Sequence, residues 1–147
     1  MFAQRVNELD SDIWNTDATF EKGHLYLVEA DSGKGKSTFC SYVVGYRHDY
    51  SGSVTFDNDN TKEYDVKEWV DMRQHHISHL FQELRLFPEL TAFENVEIKN
   101  KLTGFKSRDQ IVKWFDMLGI GEKLDAKIGR MSFGQQQRVA LIRSLVQ

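Results

Sequence analysis

The chain of 147 residues is long enough for one domain with a hydrophobic core but short for two. Hydrophobic residues make up 40% and charged residues 28%, and no stretch reaches the roughly 20 apolar residues that cross a bilayer, so any role at a membrane requires a partner. The formal net charge of -3 provides no basic field for nucleic acid, and no nucleic-acid partner is expected.

The first half of the chain carries the signals of an α/β nucleotide-binding unit. The apolar run at residues 25–28 predicts a strand leading into a glycine-rich loop at 31–35, and residues 37–45 suit a helix that ends at a glycine. Residues 51–56 alternate with period two and predict another strand, and a second buried strand is predicted at 77–81. No repeat or linker interrupts the chain, so the sequence predicts a single domain.

The second half of the chain predicts helices. Thr91 with Glu94 three residues later is typical of a capped helix start, and Ser132 with Gln135 repeats the pattern before a last helix that continues to the end of the chain. A helix between these two is predicted to stop at Gly119. Its apolar residues at helical spacing are Ile111, Trp114, Phe115 and Leu118.

Residues 30–38, with the sequence ADSGKGKST, match the phosphate-loop pattern G-x-x-x-x-G-K-[ST] except at the first position, which is Ala30. The glycines let the loop curl so that backbone N–H groups point at an anion, and the helix that begins near Ser37 adds its positive end. Lys36 can reach the β- and γ-phosphates, the Ser37 hydroxyl can bind Mg²⁺, and Thr38 can donate to a phosphate oxygen.

The alternative for this segment is a flexible turn that contains the same residues by chance. Ala30 is compatible with the loop if its φ is negative and incompatible if the loop needs a positive φ there. The residues predicted to hold the nucleotide are Ser32, Gly33, Lys34, Gly35, Lys36, Ser37 and Thr38.

Two further segments carry weaker signals. Gln82 follows a predicted strand and precedes the run LRLFPELTAFENV at 84–96, whose composition alone indicates little. Residues 131–140, MSFGQQQRVA, place the Ser132 hydroxyl, Gly134 and the free N–H groups of a helix start together, which suits a second anion site. In isolation a capped surface helix without a ligand is the better interpretation, but the phosphate loop favours the anion site.

Together these segments resemble the ABC ATPase family. Residues 30–38 resemble its Walker A loop, Phe81 and Gln82 with the run that follows resemble its Q-loop region, and residues 131–137 resemble its LSGGQ signature. The segment between Gln82 and Asn95 looks most similar to cassettes of the lipoprotein-release, macrolide-export and cell-division group.

The resemblance implies an α/β fold: a P-loop NTPase core of ABC type with a helical subdomain that holds the signature. The expected division is an α/β core at about 1–82, a helical subdomain at about 83–135, and a helix returning to the core at 136–147. The family continues beyond its signature helix with a strand bearing the catalytic carboxylates, whereas this chain ends at Gln147. We therefore expect a fragment in which the C-terminal part of the core is missing; the alternative is a chain that pairs with another chain supplying the missing strand.

The resemblance also implies a head-to-tail dimer with a second ABC domain. One phosphate loop would hold ATP and Mg²⁺, while Ser132, Gly134 and Gln135 of the other domain close over the γ-phosphate. Gln82 would contact Mg²⁺, for which Ser37 is the other predicted ligand, and would act on the attacking water. A transmembrane permease subunit is the expected partner, and the expected location is peripheral, on the cytoplasmic face of the membrane.

Several residues depart from the family pattern. Ala30 replaces the first Walker A glycine and Phe133 replaces the first glycine of the signature. The adenine-stacking aromatic residue is uncertain between Phe2 and Trp14, and for Trp14 a core position is favoured. His75, His76 and His79 are interpreted as ordinary polar histidines, because no cysteine or carboxylate cluster accompanies them.

The function expected from this resemblance is the ATP-binding and ATP-hydrolysing subunit of an ABC transporter, although hydrolysis by the present chain alone is not expected. One alternative is a nucleotide-gated binding module with little or no hydrolysis, as Ala30 and Phe133 suggest. The other is an ABC protein that works on ribosomes or DNA, which the acidic charge balance disfavours.

Overall fold

A computed structural model describes residues 11–147. The chain divides into two compact units, residues 1–37 and residues 38–147, which are described separately below. The single-domain division expected from the sequence stays a prediction.

The described part of the first unit consists of turns and extended segments up to the phosphate loop. Ser11 Oγ accepts hydrogen bonds from the backbone N–H groups of Ile13 and Trp14, at 3.2 and 3.0 Å. The predicted strand at 25–28 is absent, and the prediction is wrong for this structure, where Leu25 is fully exposed. A strand exists only when its backbone pairs with a neighbour, and no ladder partner is present among residues 11–37.

Helix α1 (Lys36–Val43) begins at the end of the first unit and continues into the second. It is followed by Gly45 at φ +67°, as the sequence predicted for the helix end. Strands β1 (Thr55–Phe56) and β2 (Asp59–Asn60) then form a short antiparallel hairpin. The turn residues Asp57 and Asn58 both have positive φ, which two-residue hairpins favour because it matches the twist of the strands.

Helix α2 (Val66–Asp71) and a single π-helical turn (Met72–His76) follow the hairpin, and the sequence analysis missed both. Asp65 and Glu68 form a capping box at the start of α2. The strand predicted at 77–81 is also wrong for this structure, because no neighbouring strand pairs with this segment among the described residues.

The hydrophobic core of the second unit is formed by three helices: α3 (Ala92–Thr103), α4 (Arg108–Met117) and α5 (Phe133–Leu145). Each starts with a capping box, and the predicted caps Thr91 and Ser132 are confirmed. Left-handed glycines follow α3 and α4, including the predicted stop at Gly119. Buried residues of this core include Phe93, Val96, Ile111, Phe115, Ile120, Ile128, Met131, Val139, Ile142 and Val146.

The loop between α4 and α5 pairs with the segment that leads into α3. The N–H groups of Ala92 and Phe93, in the first turn of α3, donate to the carbonyls of Ala126 and Leu124, both at 2.9 Å. Gly129 N–H donates to the Pro88 carbonyl at 3.0 Å. Because protein carbonyls satisfy donors that a helix start leaves free, the loop before the signature is fixed to the start of α3.

Candidate nucleotide-binding site

The phosphate loop is curled by its glycines, as the sequence predicted. Gly33 has φ +79° and Gly35 has φ +95°, backbone conformations that residues with a side chain rarely adopt. Ala30 is not among the described residues with positive φ, so an alanine fits this position without backbone strain. The departure from the family pattern at Ala30 therefore leaves the backbone of the loop intact.

Lys36 folds back over this loop. Its Nζ donates to the Asp31 carbonyl at 3.0 Å and to the Ala30 carbonyl. The lysine is exposed, as are Ser32, Gly33, Lys34 and Ser37, whereas Gly35 is half-buried. An ammonium group that is held only by loop carbonyls, and remains open to solvent, is available to an anion that enters the loop.

Trp14 lies beside the same loop. A Cβ added to Gly35 would be 3.1 Å from Cζ2 of the indole ring, so a side chain at this position would crowd the ring. Trp14 is half-buried. It therefore has an aromatic face close to the phosphate loop within the first unit, while Phe2, the other aromatic candidate, lies outside the described residues.

The signature residues lie at the start of α5. Ser132 Oγ accepts from the Gln135 N–H at 3.3 Å, and Gln135 Oε1 accepts from the Ser132 N–H at 2.9 Å. Ser132 and Gly134 are exposed, and Phe133 is 63% exposed. Apart from its chain neighbours and its own helix backbone, none of the described residues has an atom within 4 Å of a Cβ added to Gly134. The helix start is thus open on the side of Gly134.

Gln82 lies in a turn that is closed by a hydrogen bond from the Leu84 N–H to the Phe81 carbonyl, at 3.0 Å. Its side chain is exposed. Leu84 and Arg85, which follow it, have φ values of 57° and 48°. This turn contacts α5 at the end opposite the signature, where Arg143 donates to the Leu84 and Arg85 carbonyls.

The predicted residues thus form three groups. Residues Ser32 to Ser37 share the curled loop, with Thr38 in the next position of α1; Ser132, Gly134 and Gln135 share the start of α5; and Gln82 lies in its own turn. Sequence reasoning missed Asn95 and Arg143. For Asn95 a signal existed, since it is a polar residue on the apolar face that includes Phe93 and Val96.

Residues 11–147 contain no group of three or more histidine, cysteine or acidic side chains that could hold a metal ion. His75 and His76 pair with Asp71 instead, at 2.9 and 3.5 Å. Within the same residues, no helix has the length and apolar character of a membrane span.

A curled glycine loop opening a helix, followed by a second capped and open helix start, defines a nucleotide-binding domain of the P-loop NTPase class. Residues 13–147 match the profile of the family described as "ABC transporter". The chain belongs to this family, as its resemblance to ABC ATPases predicted, and its fold class is that of the ABC ATPase cassette.

Similar proteins support the same assignment. The ABC transporter ATP-binding protein YtrE of Bacillus subtilis (strain 168) is 34% identical over 128 residues, which cover 85% of this chain and 55% of the relative. The lipoprotein-releasing system ATP-binding protein LolD 1 of Chlorobium chlorochromatii (strain CaD3) is 34% identical over 135 residues, covering 89% of this chain and 55% of the relative. A macrolide export ATP-binding/permease protein MacB of Shewanella oneidensis is 33% identical over 128 residues, which cover 85% of this chain and 20% of the relative.

Two solved structures have a TM-score of 0.68 and 32% identity, covering 79% of this chain and 53% of theirs. One is the dimeric structure of MJ0796, a bacterial ABC transporter cassette, and the other is a post-hydrolysis state of that cassette bound to ADP and Pi. This chain spans about half the length of YtrE, LolD 1 and MJ0796.

Proposed function

We propose that this chain forms the nucleotide-binding part of an ATP-hydrolysing subunit of an ABC transporter. The observation that carries the proposal is the phosphate loop, in which positive-φ glycines curl the backbone around a lysine held only by loop carbonyls. The subunit would act at the cytoplasmic face of the membrane through a transmembrane permease subunit. A relative named for both an ATP-binding and a permease part, MacB, supports this partner class.

In the first step, Lys36 exchanges its bonds to the Ala30 and Asp31 carbonyls for bonds to the phosphate oxygens of ATP. This exchange is favourable because a charged acceptor replaces neutral ones. Ser32, Gly33, Lys34 and Gly35 line the phosphates, and Ser37 and Thr38 provide hydroxyls at the start of α1. Mg²⁺, when bound, would neutralise negative charge on the phosphates, and Ser37 and Gln82 are the residues that would hold it.

A second ABC domain completes the site in this proposal. Ser132, Gly134 and Gln135 of that domain would contact the γ-phosphate, and their position at an exposed helix start suits an anion. The dimeric structure of the MJ0796 cassette supports a pairing of two such domains. Gln82 orients the attacking water, and Trp14, beside Gly35, is the better candidate for stacking on adenine.

The alternative function is a nucleotide-gated binding module with little or no hydrolysis. The observation that favours it is Phe133, whose exposed ring stands beside Ser132 where the family has a glycine. Steady-state ATP turnover by the complete gene product separates the two functions. Turnover at about 1 per second or faster would support the hydrolase, since enzyme turnover numbers are commonly 1–10³ s⁻¹.

The phosphate-loop proposal is tested by thermal shift of this chain with ATP and Mg²⁺. At a ligand concentration about 100 times Kd, one-site linkage gives about 2.7 kcal/mol of stabilisation, which is a shift of several degrees. Lys36→Ala should lose the shift. Lys113→Ala, at an exposed position of α4, is the matched control and should keep it. An unchanged shift in Lys36→Ala would overturn the assignment of the loop.

A further inference from the structure

Arg143, near the end of α5, joins this helix to the turn that carries Gln82. Its Nη1 donates to the Arg85 carbonyl at 2.6 Å, and its Nη2 donates to the Leu84 carbonyl. The planar guanidinium therefore binds two successive carbonyls with a fixed fork, a geometry that a lysine cannot reproduce. Burial lowers the pKa of the Arg143 guanidinium, but an arginine stays charged at any physiological pH.

The two carbonyls belong to residues in an unusual backbone conformation. Leu84 and Arg85 have φ values of 57° and 48°, and neither is a glycine. Left-handed conformations in residues with a Cβ persist only when the surrounding structure determines them. Here the determinants are the fork of Arg143, the burial of Leu84 at 7% exposure, and the Arg85 guanidinium 3.8 Å above the Phe81 ring.

Hydrogen bonds on both sides of Gln82 fix the turn that carries it. The Leu84 N–H donates to the Phe81 carbonyl at 3.0 Å, so Gln82 and Glu83 are the central residues of a closed turn. Upstream, Ser78 Oγ donates to the Ser144 carbonyl and Gln147 Nε2 donates to the Ile77 carbonyl. The segment on both sides of Gln82 is thus attached to the C-terminal end of α5, whose other end carries Ser132.

We propose that Arg143 is a positioning residue for Gln82, coupling the turn that carries this glutamine to the helix that carries the signature. Helix α5 has 13 residues, so it is a rod of about 20 Å with the signature at one end and the Arg143 fork at the other. A movement of the signature on contact with a second domain shifts Gln82 through this fork. This inference rests on the proposed function for its catalytic consequence, but its structural part stands on the hydrogen bonds alone.

The structural part is tested in this chain by amide hydrogen exchange. Arg143→Met removes the fork while keeping an apolar stem, and should speed exchange in residues 81–86 by about tenfold or more, because the strained turn opens locally. Arg138→Met is the matched control, since Arg138 lies on the same helix and donates to a different carbonyl, that of Leu118, at 3.2 Å. Arg143→Lys, which is less disruptive, should give an intermediate rate. Exchange at 81–86 unchanged in both Arg143 variants would overturn the proposal.

The catalytic part is tested by ATP turnover of the complete gene product. Arg143→Met should lower kcat by about tenfold to a hundredfold with KM for ATP within about twofold, because the loop that binds ATP is intact while the water-orienting group is displaced. The double variant, with both Gln82→Ala and Arg143→Met, should have the same kcat as the variant with Gln82→Ala alone. If the losses of kcat in the two single variants simply add in the double variant, the proposed coupling of Arg143 to Gln82 is overturned. If the unmodified protein shows no turnover, the hydrolase function is refuted, and the hydrogen-exchange result alone decides the role of Arg143.

Discussion

Asn95 and Phe87 exchange two hydrogen bonds across the start of α3. Asn95 Oδ1 accepts from the Phe87 N–H at 2.8 Å, and Asn95 Nδ2 donates to the Phe87 carbonyl at 3.0 Å. The same Nδ2 also donates to the Thr91 carbonyl at 2.9 Å. Asn95 is completely buried, and its side chain is a hydrogen-bond partner for both backbone groups of Phe87.

Asn95→Ala should therefore lower the free energy of unfolding by about 1–3 kcal/mol, because it leaves the Phe87 N–H without its partner, whereas the Phe87 carbonyl keeps its hydrogen bond from the Leu90 N–H at 3.2 Å. Urea denaturation of the variant measures this loss. Asn95→Asp should be nearly as costly, since a carboxylate accepts from the Phe87 N–H but cannot donate to the carbonyls of Phe87 and Thr91.

Asn100 provides the matched control on the same helix. It makes the same pair of bonds with Lys106, at 2.8 and 2.9 Å, but it is only half-buried, so water can replace the amide. Asn100→Ala should cost about 1 kcal/mol or less. Equal losses in the two alanine variants would contradict the importance of burial at Asn95.

Gly45 lies against Trp69, and this contact predicts a second large effect. A Cβ on Gly45 would overlap the indole ring of Trp69, and its φ of +67° is itself unfavourable for alanine. Gly45→Ala should cost about 2–4 kcal/mol, through backbone strain and overpacking together. Gly119 has nearly the same φ, +66°, and among the described residues beyond its chain neighbours no atom lies within 4 Å of an added Cβ, so Gly119→Ala should cost about 1 kcal/mol. Thermal unfolding of both variants measures the difference, and similar losses would rule out the contact with Trp69 as the cause.

The helix starts could be predicted from the sequence, because a capping box needs only residues three positions apart. Ser132 and Gln135 illustrate this, since their reciprocal bonds are those that the sequence indicated. The curl of the phosphate loop could be predicted for a similar reason, as Gly33 and Gly35 determine it locally. Those parts of the candidate site that lie within one segment could therefore be predicted from residues close together in the sequence.

The strands and the Arg143 fork could not be predicted in this way. An apolar run such as 25–28 becomes a strand only when a distant segment pairs with it, and apolar sequence does not say which segment that is. Arg143 binds the Arg85 carbonyl 58 residues away in the sequence, and an arginine in an amphipathic helix gives no sign of such a contact. Both depend on tertiary neighbours that a single sequence does not identify.

His79 should make stability depend on pH. Burial lowers the pKa of its ring below the usual value and the positive charge of Arg85 lowers it further, while Glu83 partly opposes them. The ring packs 4.3 Å from the Phe81 ring and 6.0 Å from that of Tyr46, which favours the neutral form.

The unfolded chain therefore binds more protons than the folded chain at any pH between the folded pKa of His79 and about 6.5, its usual value. The contribution of neutral His79 to the free energy of unfolding is complete above about pH 6.5 and is lost as the pH falls towards the pKa of the folded state. Urea midpoints between pH 7.5 and 5 should show this loss, and His79→Phe should reduce it. His76→Phe, at an exposed position beside Asp71, is the control and should keep the loss of stability that His79 causes at low pH. If His79→Phe leaves the pH dependence of stability unchanged, His79 is not its source.

Ser132→Arg separates the role of the signature in dimerisation from its role as a helix cap. Ser107 forms the same capping box at α4, with bonds of 3.0 and 3.3 Å against 2.9 and 3.3 Å at Ser132. Both arginine variants should lose about 1 kcal/mol of stability, because each removes a cap, and both should still bind ATP. Only Ser132→Arg should block ATP-driven dimerisation of the complete gene product, since its side chain would occupy the place of the γ-phosphate of the partner site. Light scattering with ATP and Mg²⁺ measures this, and dimerisation that is normal in Ser132→Arg, or lost equally in Ser107→Arg, would count against the proposed signature.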